Sequence, residues 1–128
     1  MNPVVHFEIP ADDVERAKKF YADNFGWGMD VMGSEYGNYI ICRTAEVDEK
    51  TRMPKKSGRI NGGLMKRSAV KSPVIVIAVD NTDATVEKIT KSGGKLVGEI
   101  LDMPNVGRYA YVEDSEGNII GVIKPIMP

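Results

Sequence analysis

Asp12, Asp13 and Gly26 recur as Asp80, Asn81 and Gly94, each pair standing 68 positions apart. Aspartate and asparagine are strong helix N-caps, and glycine is a natural helix stop. Both ends of one helix therefore repeat at a single offset, with no gap. A run that reads as a strand precedes each copy, Val4 to Ile9 in the first and Pro73 to Val79 in the second. Such a chain is restricted to folds in which one strand–helix unit is built twice.

The segments on either side of each helix extend the repeat. In the first copy Val5, Phe7 and Ile9 alternate with Val4, His6 and Glu8, the period of an extended strand. Val14, Ala17, Phe20, Tyr21 and Phe25 then recur at helical spacing, with Glu15, Lys18, Lys19 and Asp23 on the wet side. Trp27 to Met32 and Asn38 to Arg43 read as a hairpin around Gly33 to Gly37. Thr44 to Gly58 is a charged surface loop, and Ile60 to Arg67 is a fourth strand weakened by Gly62 and Gly63. In the second copy Val86 and Ile89 belong to the helix stripe, and residues 92–94 stop it. Strands are expected over Lys95 to Ile100, Arg108 to Glu113 and Ile119 to Ile123, with a tight turn from Asp114 to Asn118.

The expected fold class is α+β. Two tandem βαβββ modules, 3–67 and 73–125, would form curved mixed sheets around a central cleft in one domain spanning 1–128. A pair of ferredoxin-like units also alternates strands and helices, but it needs a second helix in each half. Thr44 to Gly58 shows no helical periodicity.

Composition excludes several functions. A length of 128 residues suits one domain. Lys and Arg number 17 against 18 for Asp and Glu, with no basic stripe, so no nucleic-acid partner is expected. No apolar run approaches the ~20 residues that span a bilayer, and no signal-peptide pattern opens the chain. A cytoplasmic setting with no membrane partner is expected. Cys42, the lone cysteine, lies beside Ile40 and Ile41 and reads as a small buried hydrophobe.

The helices should cover Val5, Phe7 and Ile9 in one module and Ile75, Ile77 and Val79 in the other. Parity then turns His6, Glu8, Val74, Val76, Ala78, Ile119, Gly121 and Ile123 toward a cleft, where small-ligand pockets commonly form. Tyr109 and Tyr111 share a strand face and suit either ligand stacking or packing. The candidate ligand-binding set is His6, Glu8, Val74, Val76, Tyr109, Tyr111, Ile119 and Gly121. His6 and Glu8 form a candidate catalytic acid–base pair. A free His6 would titrate near ~6.5, with Glu8 favouring its charged form. Trp27, directly after the helix stop, is expected to be a packing anchor.

Val5-His6-Phe7-Glu8-Ile9-Pro10-Ala11-Asp12-Asp13, running into Glu15-Arg16-Ala17, Phe20-Tyr21 and Phe25-Gly26-Trp27, resembles the opening of a vicinal oxygen chelate domain. That superfamily holds glyoxalase I, bleomycin-resistance proteins and extradiol dioxygenases. Gly107-Arg108-Tyr109-Ala110 through Asp114-Ser115-Glu116-Gly117-Asn118 resembles the family's closing strand–turn–strand. The resemblance implies a divalent metal held by His or Glu from strands one, four, five and eight, acting as a Lewis acid. Carried over by position, His6 matches the first ligand, Val74 stands at the fifth-strand position and Gly121 at the eighth. Ile60 to Leu64 offers only Asn61 as a polar side chain.

One ligand position of four thus keeps a donor. The resulting expectation is no cofactor, with a divalent metal at His6 disfavoured. A small apolar or aromatic ligand would be bound, as by bleomycin-resistance proteins. Two alternatives stand beside it: a metal-dependent glyoxalase-like lyase, isomerase or dioxygenase using His6, and a non-catalytic regulatory or interaction module. The resemblance also implies a homodimer.

Overall fold

In a computed structural model describing residues 1–126, the expected strand–helix pattern occurs twice. β1 (Val4–Ala11) leads into α1 (Val14–Phe25), then β2 (Gly28–Val31), β3 (Ile40–Arg43) and β4 (Gly62–Lys66). β5 (Val74–Ala78) leads into α2 (Thr82–Lys91), then β6 (Lys95–Met103), β7 (Gly107–Glu113) and β8 (Ile119–Pro125). Each copy pairs its strands alike. β1 runs parallel to β4, which is antiparallel to β3, and β3 is antiparallel to β2. β5 runs parallel to β8, which is antiparallel to β7, and β7 is antiparallel to β6. The fold is α+β, with a mixed sheet in each βαβββ copy.

The compact units do not follow the repeat at the N-terminus. One comprises His6–Pro73; the other joins Met1–Val5 to the chain from Val74 onward. Within the latter, the Pro3 carbonyl accepts from the Ala78 N–H at 2.9 Å.

In the first unit Asp13 caps α1, its carboxylate accepting from the Arg16 N–H. Gly26 ends the helix in the left-handed region (φ 70°), the conformation glycine reaches without a Cβ penalty. Asn81 caps α2 in the same way, accepting from the Ala84 N–H, and the offset of 68 holds at both caps. At the other end it does not hold. α2 closes earlier, at Ser92, and the left-handed residue is Gly93 (φ 100°) rather than Gly94. Gly94 serves packing instead, since a Cβ there would strike the Glu113 carbonyl and the Ile89 side chain.

Each unit has its own core on the helix-facing side of its sheet. In the first, Phe7, Ile9, Val14, Ala17, Trp27 and Met29 pack on buried Ala11, Ile40, Cys42 and Leu64. Trp27 anchors this cluster, stacked on Tyr21 with centroids 4.9 Å apart. In the second, Ile77, Ile89, Leu96, Ile100 and Ile120 pack on Val79, Val86, Ala110, Val112 and Val122. Ile75, expected under the second helix, is exposed instead. β6 runs past Ile100 to Met103 because its pairing with β7 slips between Val97 and Leu101, where Gly98 takes φ 77°. The Thr44–Gly58 loop carries no helix; Val47 bridges Pro54 across it.

Thr82 is a polar residue in the second core, 1% exposed. Its hydroxyl donates to the Arg108 carbonyl at 2.6 Å and accepts from the Lys124 N–H at 3.1 Å, tying the start of α2 to β7 and β8. Thr82→Val keeps the shape and removes both hydrogen bonds. It is expected to destabilise the protein by about 2 kcal/mol in urea unfolding, while Thr82→Ser retains most of the stability. Equal losses for the two variants would assign the effect to packing.

Candidate functional site

The register of the first unit sorts its side chains onto two faces. Phe7, Gly62, Cys42 and Met29 form one transverse row, and Ile9, Leu64 and Ile40 form the next. These rows face α1. Glu8, Gly63 and Ile41 form the row between them, so they face the other way, as does His6 by alternation. Expected parity holds for His6 and Glu8. Cys42 is fully buried, and burial pushes its thiol up to about 11, so it is an inert core residue.

On the face away from α1, three side chains form a hydrogen-bonded chain. The Tyr39 hydroxyl donates to Glu8 Oε2 at 2.7 Å, and His6 Nε2 lies 2.9 Å from the same hydroxyl oxygen. The imidazole and phenol rings are 6.4 Å apart at 22°. Tyr39 is a member that the sequence reading does not single out. It directly precedes β3, and its ring leans over Gly63 so closely that a Cβ there would overlap its hydroxyl. Gly62 gives the same clearance to the Phe7 ring on the opposite face. Two glycines that read as a weakness of β4 therefore admit one aromatic ring on each side. Alternation already places Tyr39 on the face of Ile41, whose partner across the ladder is Gly63; an aromatic diagonal to a glycine is the available signal.

A tyrosine has one hydroxyl proton, and here it goes to Glu8. His6 Nε2 must then donate, so the neutral ring carries its proton on Nε2 and a lone pair on Nδ1. Nδ1 has no hydrogen-bond partner among the described residues, and no unpartnered side-chain nitrogen there is fully shielded from solvent.

The pKa of His6 is lowered, chiefly by burial, with Glu8 acting in the opposite direction and losing. This corrects the sequence expectation, in which Glu8 alone decided the sign. Burial penalises the imidazolium more than the carboxylate rewards it. The folded value lies below the unfolded one, so the unfolded chain takes up a proton first as pH falls through ~6.5. The resulting contribution to stability is complete above that pH and is lost below it. Because His6 is the only histidine, the urea midpoint should drop between about pH 7.5 and about pH 5.5, with a smaller drop in His6→Gln. Equal drops in both proteins would assign the change elsewhere.

In the second unit the predicted residues also share a face. Val76, Gly121 and Tyr111 form one transverse row, Ala78, Ile123 and Tyr109 the next, and Ile119 and Val74 join them by alternation. This face is opposite the one covered by α2. Tyr109 and Tyr111 meet edge to face at 6.1 Å. Val74 and Val76 are buried. The room left by Gly121 is bounded by Val76, whose Cγ2 would be 3.1 Å from a Cβ at 121. Two shallow surface hollows lie elsewhere. One is at the start of α1, around Asp12, Arg16 and Phe20, and the other is around Pro3, Asp80 and Lys124; neither is lined by His6, Glu8 or Tyr39.

The positions at which the family resemblance implied metal ligands hold these groups. His6 Nε2 is committed to Tyr39. Asn61 Oδ1 accepts from the backbone N–H of Thr44 at 2.7 Å and of Ala45 at 2.8 Å, clasping the start of the long loop. Val74 and Gly121 have no donor. No group of three or more His, Cys, Asp or Glu side chains placed to hold a metal occurs among the described residues. No helix among them is long and apolar enough to cross a membrane.

Known proteins agree with this architecture. A glyoxylase-like domain-containing protein of Didymella fabae is 35% identical over 123 residues, covering 87% of this chain and 84% of that protein. The putative glyoxylase CFP32 of Mycobacterium bovis is 43% identical over 51 residues, 40% of this chain but only 20% of that longer protein. Among solved structures, methylmalonyl-CoA epimerase from Mycobacterium tuberculosis superposes with TM-score 0.62 at 16% identity, covering 95% of this chain and 87% of that one. A methylmalonyl-CoA epimerase in complex with methylmalonyl-CoA and NH4+ gives 0.67 at 12% identity, covering 98% and 96%. At those identities the likeness is one of fold. A family model described as Glyoxalase/Bleomycin resistance protein/Dioxygenase superfamily matches residues 4–122, nearly the whole of the two βαβββ copies, and the chain belongs to that superfamily.

Proposed function

We propose that this chain binds a small, apolar or aromatic molecule, without a divalent metal held by its own side chains. The donor set carries this reading. A divalent ion of this kind takes about three or four protein ligands. Of the four positions carried over from the family, two have no donor, Asn61 is spent on backbone amides, and His6, with Nε2 held by Tyr39, leaves Nδ1 as a single donor. Those residues do not fit the ion. In the first unit the face away from α1 carries a polar group at His6, and in the second the face away from α2 carries the half-buried rings of Tyr109 and Tyr111. Polar anchors and aromatic walls are each features of small-molecule sites. A thermal-shift screen of aromatic and hydrophobic compounds tests the reading; no stabilising compound would count against it. Zinc, nickel, iron and manganese should each be found at well below one equivalent per chain in the purified protein, and none should raise its melting temperature.

A catalytic reading is favoured by one observation, the hydrogen-bonded chain itself, because a positioned imidazole with an open lone pair can accept a proton. The epimerase likeness suggests the substrate to try. Incubation with methylmalonyl-CoA in deuterium oxide should place deuterium at its C2 carbon if this chain is such an enzyme. Uptake no faster than in buffer removes that activity. Homodimerisation, which the resemblance implies, and a cytoplasmic setting are parts of the same proposal; light scattering at micromolar concentration tests the first.

A further inference from the structure

We infer that the His6–Tyr39–Glu8 chain is a ligand anchor, in which Tyr39 fixes the His6 tautomer so that Nδ1 receives an N–H or O–H group of a neutral small molecule. This rests on the small-molecule reading and specifies which chemistry the site accepts.

The geometry fixes the direction of each bond. Glu8, 8% exposed, takes the hydroxyl proton of Tyr39 at 2.7 Å. The hydroxyl oxygen then has only lone pairs to offer His6, 2.9 Å away, and Nε2 must be the donor. A neutral imidazole has a single ring proton, so Nδ1 becomes a pure acceptor. Tyr39 is a positioning residue here, because it acts on the ligand only through the imidazole. The clearance at Gly63 exists for its ring. The Glu8 carboxylate, one hydroxyl away from the imidazole, disfavours an anionic ligand. A ligand group without a hydrogen to donate would leave Nδ1 desolvated and unpaired. Donor-bearing, uncharged molecules are therefore selected over their methylated or ionised counterparts.

Three probes of nearly the same size separate these cases. Phenol carries an O–H, anisole replaces that hydrogen with methyl, and benzoate is anionic at neutral pH. The single imidazole gives unambiguous 15N signals in the intact protein. Expected in the free wild type is the Nε2–H tautomer, with Nδ1 unprotonated. Phenol should displace the Nδ1 signal and bind roughly 2- to 10-fold tighter than anisole, with benzoate weakest. Tyr39→Phe retains the ring and should let the Nε2–H population fall to that of a free imidazole and shrink the phenol advantage to below about 2-fold. A ring proton on Nδ1 in the wild type overturns the inference, as does anisole moving the Nδ1 signal as far as phenol does. If none of the probes binds, nor any compound in the thermal-shift screen, the small-molecule reading fails. The wild-type and Tyr39→Phe tautomers then still decide whether Tyr39 sets His6.

Discussion

Gly63→Ala is expected to destabilise the protein by about 2–4 kcal/mol and to dismantle the His6–Tyr39–Glu8 chain. Position 63 pairs with Glu8 on one side and Ile41 on the other, facing away from α1. An added methyl would occupy the space of the Tyr39 hydroxyl and the adjoining ring carbon, and the ring, held by two hydrogen bonds, must swing out. His6 and Glu8 each lose that hydroxyl, at about 1 kcal/mol per bond, and the displaced ring adds the cost of overpacking. A double-mutant cycle isolates the cause. In a Tyr39→Ala background the alanine at 63 meets no ring, so its cost should fall below about 1 kcal/mol. The same cost in both backgrounds would show that the backbone, not Tyr39, requires glycine.

Leu64→Ala should cost about 3–5 kcal/mol and lower the melting temperature by about 10 °C or more. Leu64 is fully buried, in register with Ile9 on β1 and Ile40 on β3, and packs with Ala11 and Cys42. Its neighbours are held by strands on both sides, so the cavity left by truncation closes poorly. Leu64→Met nearly conserves volume and should cost under about 1.5 kcal/mol. Urea unfolding measures both. A loss below about 1 kcal/mol for the alanine variant would mean that the core collapses to fill the gap.

The repeat is legible because caps, stops and strand alternation are local. Asp13 and Asn81 announce helices through their own side chains, and Phe7 and Ile9 announce a core face through their spacing. The same alternation puts His6 and Glu8 together on the opposite face. Alternation also gives Tyr39 its face but not its role, which depends on a diagonal reach across β4 to Glu8 that periodicity does not encode. The sign of the His6 shift fails for a related reason: a neighbouring carboxylate is visible in the sequence, whereas the depth of burial is set by the packed sheet. The extension of β6 past Ile100 needs the slip at Gly98, which alternation alone reads as an end. Gly94 matches Gly26 in register but not in duty, since α2 stops on a tighter turn.

A duplication invites dissection, and the ownership of residues 1–5 shows where the scissors must go. A fragment starting at Ser68 would contain the entire second copy and still lack a component of its own unit, because the Pro3 carbonyl receives the Ala78 N–H. The inherited segment and the cooperative segment are different stretches of polypeptide. Independent expression of the second copy therefore calls for a permuted chain, in which the first residues are reattached by a linker to the far end.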